Sequence, residues 1–328
     1  MTKPLDVIAI GNALVDVLTH AQDDFLAERK IDKGSMSLID ATQAETLYAG
    51  MGPAVEVSGG SAANTIAGIA SLGGSAGFIG KVAADQLGDI FRHDITALGV
   101  EFTTKPMREG KPTGRCLVFV TPDAQRTMQT FLGSAGEVSP EDIDAEQIKR
   151  AQITYFEGYL WDQPPAKQAY VKAAEIAHNA GKKTSLTLSD SFCVHRHRAE
   201  FLDLVNGHVD VLFANEQEII ALYETADFGQ AVQTVRGKCD IAVLTRSEKG
   251  AVIVTQDETV EVAAHPVEKV EDTTGAGDLF AAGFLYGLTQ GKPLAECGRI
   301  AAICAAEIIS HVGARPEADL KALVAKHL

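Results

Sequence analysis

Short apolar runs alternate with longer stretches of helical spacing over most of this chain. Residues 7–10 form the first run and stop at Gly11-Asn12, the pattern of a buried strand that opens onto a loop. Residues 56–60 read as strand and lead into 64–72, whose small and apolar residues suit a helix packed tightly on a sheet. A brief strand at 78–79 follows, then a helix over 87–98 closed by Gly99. Between about 100 and 131 Thr, Val and Phe dominate, and 116–121 reads as a strand before the turn Pro122-Asp123. That texture predicts an antiparallel hairpin added to an alternating fold. The stretch 14–38 is similarly irregular, and the two together predict a small lid at about residues 12–50 and 100–131.

Beyond that point the alternation is regular. Strands at 153–156, 184–188, 211–214 and 241–245 are separated by helices over 166–180, 198–205, 216–223 and 231–235. Hairpin-like segments at 251–255 and 259–262 come next, then helices over 277–288, 294–310 and 318–326. Repeated strand–helix units predict a mostly parallel α/β sheet covered by helices on both faces. With no internal repeat and no low-complexity linker, residues 1–328 read as a single domain with a lid inserted early.

Composition sets limits. Hydrophobic residues make up 46% of the chain and charged ones 22%, an ordinary globular mix that can bury a large core without disulfides. Cys116, Cys193, Cys239, Cys297 and Cys304 form no CxxC pair and no metal-ligand spacing, and read as reduced thiols of a cytoplasmic protein. Asn12 and Asp16 interrupt the first apolar stretch, which therefore does not read as a signal peptide. No apolar run reaches the roughly 18 residues that a membrane-spanning helix needs, so no membrane association is expected. The formal net charge of −15 opposes nucleic-acid partners. A nucleotide triphosphate would need a local positive site.

One segment offers it. Asp272-Thr273-Thr274-Gly275-Ala276-Gly277-Asp278 runs straight into the apolar start of a helix. Unpaired N–H groups at a helix N-terminus, with the positive end of the dipole, bind anions without any basic side chain. Asp278 would sit in the first turn, where a carboxylate can take the proton of a hydroxyl attacking a phosphoryl group. Taken alone, it also reads as a simple helix cap. Rival phosphate motifs fail: one residue too many separates Gly74 from Gly80-Lys81 for a P-loop, and Val82 stands where a hydroxyl is needed. A dinucleotide fingerprint would require glycine at Phe280.

A second constellation lies near the front. Gly11-Asn12-Ala13-Leu14-Val15-Asp16 follows the first strand, and Gly59-Gly60-Ser61-Ala62-Ala63-Asn64 precedes a helix. In a parallel sheet such loops converge at the C-terminal ends of the strands. Asn12, Asp16, Ser61 and Asn64 then form a polar cluster suited to vicinal hydroxyls, although each singly also serves as a cap or turn residue. Asn215-Glu216-Gln217-Glu218 follows a strand directly, and its carboxylates could hold Mg²⁺ through water or simply form a solvated first turn.

These residues carry a resemblance. GGSAAN (59–64), NEQE (215–218) and DTTGAGD (272–278), in that order, are similar to the signatures of the ribokinase-like (PfkB) carbohydrate kinases, and within them of the adenosine kinase branch. The resemblance covers essentially the whole chain. It implies a doubly wound αβα sandwich with a small β-sheet lid, and transfer of the γ-phosphate of ATP. It implies Asp278 as catalytic base, with the amides of Gly275, Ala276 and Gly277 as anion hole. Asn215 and Glu218 would organise Mg²⁺ and phosphate, with Glu218 reaching the metal through water; Thr274 would lie on the nucleotide side. Asn12, Asp16, Gly60, Ser61 and Asn64 match positions that bind the ribose of the acceptor. Arg126 resembles the lid arginine that reaches the phosphates, and also reads as a solvated hairpin residue.

For the acceptor's base, Leu14, Met36, Leu38, Tyr159 and Phe192 fall at or near positions that enclose a purine in nucleoside-using relatives, or serve as lid and core packing. Thr245-Arg246-Ser247-Glu248-Lys249-Gly250 resembles the family's nucleotide turn, with Ser247 in place of its first glycine. Ala305 resembles the adenine pocket, and Gly313 a loop for a monovalent cation such as K⁺. The leading expectation is a kinase of the 5′-hydroxyl of adenosine, acting as a monomer or homodimer. The alternatives are a sugar kinase of the same family and a non-catalytic nucleoside-binding protein.

Overall fold

A computed structural model describes residues 3–123 and 125–328. Its strands are β1 (Leu5–Ile10), β2 (Leu14–His20), β3 (Met36–Leu38), β4 (Val55–Gly59), β5 (Ala76–Ile79), β6 (Gly114–Val120), β7 (Arg126–Phe131), β8 (Ala151–Glu157), β9 (Lys183–Thr187), β10 (Val211–Asn215), β11 (Ile241–Thr245), β12 (Ala251–Val254) and β13 (Thr259–Val262). The helices are α1 (Asp23–Glu28), α2 (Ala41–Ala49), α3 (Ser61–Ser71), α4 (Gln86–Ala97), α5 (Ala145–Arg150), α6 (Pro164–Asn179), α7 (Ser191–Gly207), α8 (Glu216–Tyr223), α9 (Phe228–Val235), α10 (Ala276–Thr289), α11 (Leu294–Ile308) and α12 (Leu320–His327).

The larger sheet has eight strands in the order β13-β12-β11-β10-β9-β8-β1-β5. β5, β1, β8, β9, β10 and β11 run parallel, and β12 and β13 close the edge antiparallel. Successive side chains feed two cores: Val7, Ala9, Ile153 and Tyr155 pack under α3, α10 and α11, while Ile8, Ile10 and Phe156 pack under α6 and α7. Burial on both faces explains why the strands read as continuous apolar runs. This is the expected doubly wound sandwich. Chain order reverses at β1, whose neighbours are β5 and β8. Ligands of such sheets bind outside the strand ends at this switch point.

The smaller sheet is a five-stranded lid in the order β3-β7-β6-β2-β4. The expected hairpin is β6–β7. β4 lies outside both predicted lid segments, and was read as leading into the core; instead it pairs antiparallel with β2. The helices α1, α2 and α5, short and weakly periodic, are additions to the predicted elements, and α7 starts at Ser191 rather than 198. Among the described residues no helix is long and apolar enough to cross a membrane.

Candidate active site

Two loops meet at the switch point because one carboxylate fastens both. Glu157, the last residue of β8, is fully buried. It accepts hydrogen bonds from the Asn12 amide (2.7 Å), the Asn12 side-chain Nδ2 (2.6 Å) and the Ala62 amide (2.8 Å). The loop after β1 is thereby tied to the first turn of α3. Both turns need glycine: a Cβ at Gly11 would lie 2.6 Å from Glu157 Oε2, and Gly60, at φ +96°, would drive one into the Asn12 carbonyl. Burial pushes the Glu157 carboxyl up to about 7, opposed by its hydrogen bonds to Asn12 and Ala62.

Asp278 stands opposite, in the first turn of α10. Gly275 caps that helix in the left-handed region (φ +79°). Thr274 donates its N–H (3.0 Å) and Oγ1 (2.8 Å) to Asp272 Oδ1, which shapes the turn. Of the expected anion hole, the Ala276 N–H is bonded to the Thr273 carbonyl (3.2 Å); among the described residues the N–H groups of Gly277 and of Asp278 beside it have no backbone partner, and a Cβ at Gly277 would meet only open space. The Asp278 carboxylate accepts from Ser61 Oγ (2.7 Å) and Asn64 Nδ2 (3.0 Å). Burial raises its pKa above the ordinary carboxylate range, while those two donors and Arg315 pull the other way.

Strand register supplies the third wall. Asp16 pairs with Cys116, Cys116 with Thr130, Val120 with Arg126, and Met36 and Leu38 with Met128 and Thr130. With a period of two, Leu14, Asp16, Met36, Leu38 and Arg126 therefore share one face of the lid, while Val15 and Val17 face its packed side. Asp16 lies against the Gly59 backbone, and burial pushes its carboxyl up to about 6 against the pull of Arg315 and Arg126. Arg126 reaches across to Asp272, Nη1 to Oδ2 at 2.9 Å, and is almost buried. Three buried polar atoms here lack partners: Asn12 Oδ1, Asn64 Oδ1 and Arg126 Nη2. Two orphan acceptors and one orphan donor around Asp278 are what a polyhydroxyl ligand with a phosphate would satisfy.

The remaining predicted residues are less concentrated. Met36, Leu38 and Phe192 are exposed apolar side chains, at 41%, 53% and 74%. Leu14 is nearly buried, and Tyr159 donates its hydroxyl to the Ser189 carbonyl (3.2 Å). Asn215 and Glu218 form a reciprocal cap at the start of α8, in which both Glu218 oxygens accept from Asn215, at 2.9 and 2.6 Å. Glu218 is buried, which pushes its carboxyl up to about 7, so it fits a metal only at one remove, through water. Among the described residues no cluster of three or more His, Cys, Asp or Glu could hold a metal directly. Thr245 ends β11 beside Asn215. Gly250 has φ +82°, and Ser247 has φ +50°, so the serine keeps the left-handed conformation that glycine adopts freely. Arg246 is drawn aside, 3.3 Å from Glu216 and stacked over Phe228. Ala305 is half-buried on α11. Gly313 donates to Asp272 Oδ2 (3.0 Å), so Asp272 already accepts from Thr274 twice, Gly313 and Arg126.

Sequence reading missed Glu157 and Arg315. A lone charge ending an otherwise apolar strand was the available signal for Glu157. Arg315 sits in no motif.

A kinase site on a doubly wound sheet is what these elements define, and the chain belongs to the pfkB family of carbohydrate kinases, whose profile matches residues 34–320. It is a phosphotransferase of that family, adenosine kinase-like, and the family generally uses ATP. The crystal structure of adenosine kinase from Sinorhizobium meliloti is 52% identical, with a TM-score of 0.93, and covers 99% of this chain and 100% of that one. A probable sugar kinase from Rhizobium etli CFN 42 is 51% identical, with a TM-score of 0.94 and 99% of each chain covered. The adenosine kinase of Saccharomyces cerevisiae is 26% identical over 316 residues, 90% of this chain and 91% of that protein.

Proposed function

We propose that this kinase transfers the γ-phosphoryl group of ATP to the 5′-hydroxyl of a nucleoside, with adenosine the leading acceptor. The observation that carries the reading is the carboxylate of Asp278, set between the open N–H groups of α10 and the orphan amide oxygens of Asn12 and Asn64. Ribose hydroxyls would donate to those oxygens and to Asp16. Asp278 would accept the 5′-hydroxyl proton at Oδ as the oxygen attacks phosphorus. The unpartnered N–H groups of Gly277 and Asp278, at the positive end of the α10 dipole, would stabilise charge on the equatorial oxygens. Arg126, with a free Nη2, would exchange Asp272 for phosphate oxygens as the lid excludes water. Mg²⁺, when bound with the triphosphate, would neutralise its charge, with Asn215 and Glu218 oriented to hold its waters. Residues 1–328 would act as one catalytic domain on small molecules.

The exposed apolar side chains Met36 and Leu38, on the same lid face as Asp16, favour an acceptor with a base to cover them. The similarity to the Sinorhizobium meliloti enzyme supports the same choice. A plain sugar acceptor, the second reading, draws on the equally similar Rhizobium etli protein. Steady-state transfer from ATP and Mg²⁺ to adenosine, inosine, guanosine, ribose and fructose separates them. Adenosine should give the largest kcat/KM; preference for ribose or fructose would overturn the nucleoside assignment.

A further inference from the structure

Arg315 lies beyond α11 on the loop that carries Gly313 and Ala314. Its guanidinium donates from Nε to the Ser58 carbonyl (3.0 Å), from Nη2 to Ser58 Oγ (3.3 Å) and from Nη1 to the Ala63 carbonyl (2.7 Å). Ser58 belongs to β4, directly before Gly59, whose backbone lies against the Asp16 carboxylate. Ala63 lies on α3 between Ser61 and Asn64, the two donors to Asp278. One side chain from the last loop therefore joins the strand behind Asp16 to the helix that holds Asp278.

We propose that Arg315 is a positioning residue for phosphoryl transfer, a fixed positive charge that serves both carboxylates of the site through its grip on Ser58 and Ala63. The proposal rests on the reading of Asp278 as the base. Burying a guanidinium is costly unless carboxylates face it. Burial draws the Arg315 pKa down to about 10, and Asp16, Asp278 and Asp94 hold it against a larger fall. In return Arg315 pulls the pKa values of Asp278 and Asp16 downward. The other titratable and charged groups around Arg315 and the two carboxylates include Asp94 on α4, Cys116 on β6, Arg126 on β7, Tyr155 and Glu157 on β8, and Tyr159 just beyond β8. Of these only Arg126 is cationic, and it is engaged with Asp272. Without Arg315, Asp278 would keep its proton to higher pH, and the fraction of enzyme with a competent base on the acid side of the profile would fall.

The test is the pH profile of kcat/KM, measured on folded protein with circular dichroism as the check. Arg315→Met should move the acid limb upward by about one pH unit, the scale set by a nearby opposite charge, and lower activity on that limb by up to about tenfold. Arg315→Lys, which keeps the charge but loses the forked grip, should hold the limb near its wild-type position. Ser58→Ala removes one acceptor and no charge, and should leave the limb unmoved. Should Arg315→Met fail to fold, Arg315→Gln, which retains amide donors, carries the same comparison. An unmoved acid limb in the folded, uncharged variant would overturn the role of Arg315. Wild-type turnover by Asp278→Asn, run alongside, would instead remove the base assignment on which it rests.

Discussion

Glu157 buries a full carboxylate where the fold would be more stable without its charge, and Glu157→Gln measures that directly. The side chain is 0% exposed and burial pushes its pKa from 4.5 up to about 7. Its folded-state pKa lies above its unfolded one, so between those values the native protein holds more protons than the unfolded chain. Stability from this group is therefore full below about pH 4.5 and is lost as pH rises to about 7. A shift of about 2.5 units corresponds to roughly 3 kcal/mol. Glutamine has the shape of the protonated acid and cannot ionise. Urea unfolding should find the variant gaining about 2–3 kcal/mol relative to wild type between pH 5 and pH 8, near 4 °C in melting temperature for a chain of this length. Asp16 and Glu218 titrate in the same direction, but they do so in both proteins and cancel in the difference. The functional cost should run the other way. A glutamine oxygen can accept from Asn12, but its amide then meets the Ala62 N–H, donor against donor, and the two loops lose their common anchor. Acceptor KM at pH 8 should rise by about tenfold, one lost hydrogen bond's worth. The same stability difference between variant and wild type at both pH values would refute the reasoning.

Three further outcomes follow from the geometry. Asp16→Ala should raise KM for the acceptor at least about tenfold and leave KM for ATP within about twofold, the loss expected for a charged hydrogen-bond partner; initial-rate kinetics with each substrate varied will show whether the two move together, which would contradict a ribose role. Ser247→Gly should stabilise the protein by about 0.5–1 kcal/mol, since glycine relieves the φ +50° strain at some entropic cost in the unfolded chain, and thermal unfolding reads the sign. Gly60→Ala forces a Cβ onto the Asn12 carbonyl in a positive-φ turn, so it should lose about 2 kcal/mol of stability and most acceptor binding; a near-neutral result by calorimetry would show that this turn is not fixed.

Much of this arrangement is legible in the chain because the chemistry is local. The α10 N-terminus needs only small residues followed by an apolar helix, and Asn215–Glu218 is a cap closed within one turn. The parallel core announces itself as apolar runs because both faces of each strand are buried. The lid and its β6–β7 hairpin are legible, but its two edge strands are not, for the opposite reason: β3 has three exposed residues, and β4 is recognisable as lid only through its pairing with β2. That Leu14, Asp16, Met36, Leu38 and Arg126 share a face follows from register, which no single strand specifies. Glu157 and Arg315 are invisible to motif reasoning because their partners lie 95 to 257 positions away in the chain.

The most direct test of the central claim is Asp278→Asn compared with wild type under saturating ATP and Mg²⁺, following ³²P transfer to adenosine and, separately, adenosine binding by calorimetry. Asparagine keeps the shape and can still pair with Ser61, so adenosine affinity should stay within about threefold while transfer falls by about 10³-fold or more, on the scale of a lost general base joined to a disturbed anion site. Transfer by Asp278→Asn within about tenfold of wild type, with AMP as product, would contradict the assignment of Asp278 as the base on which the account is built.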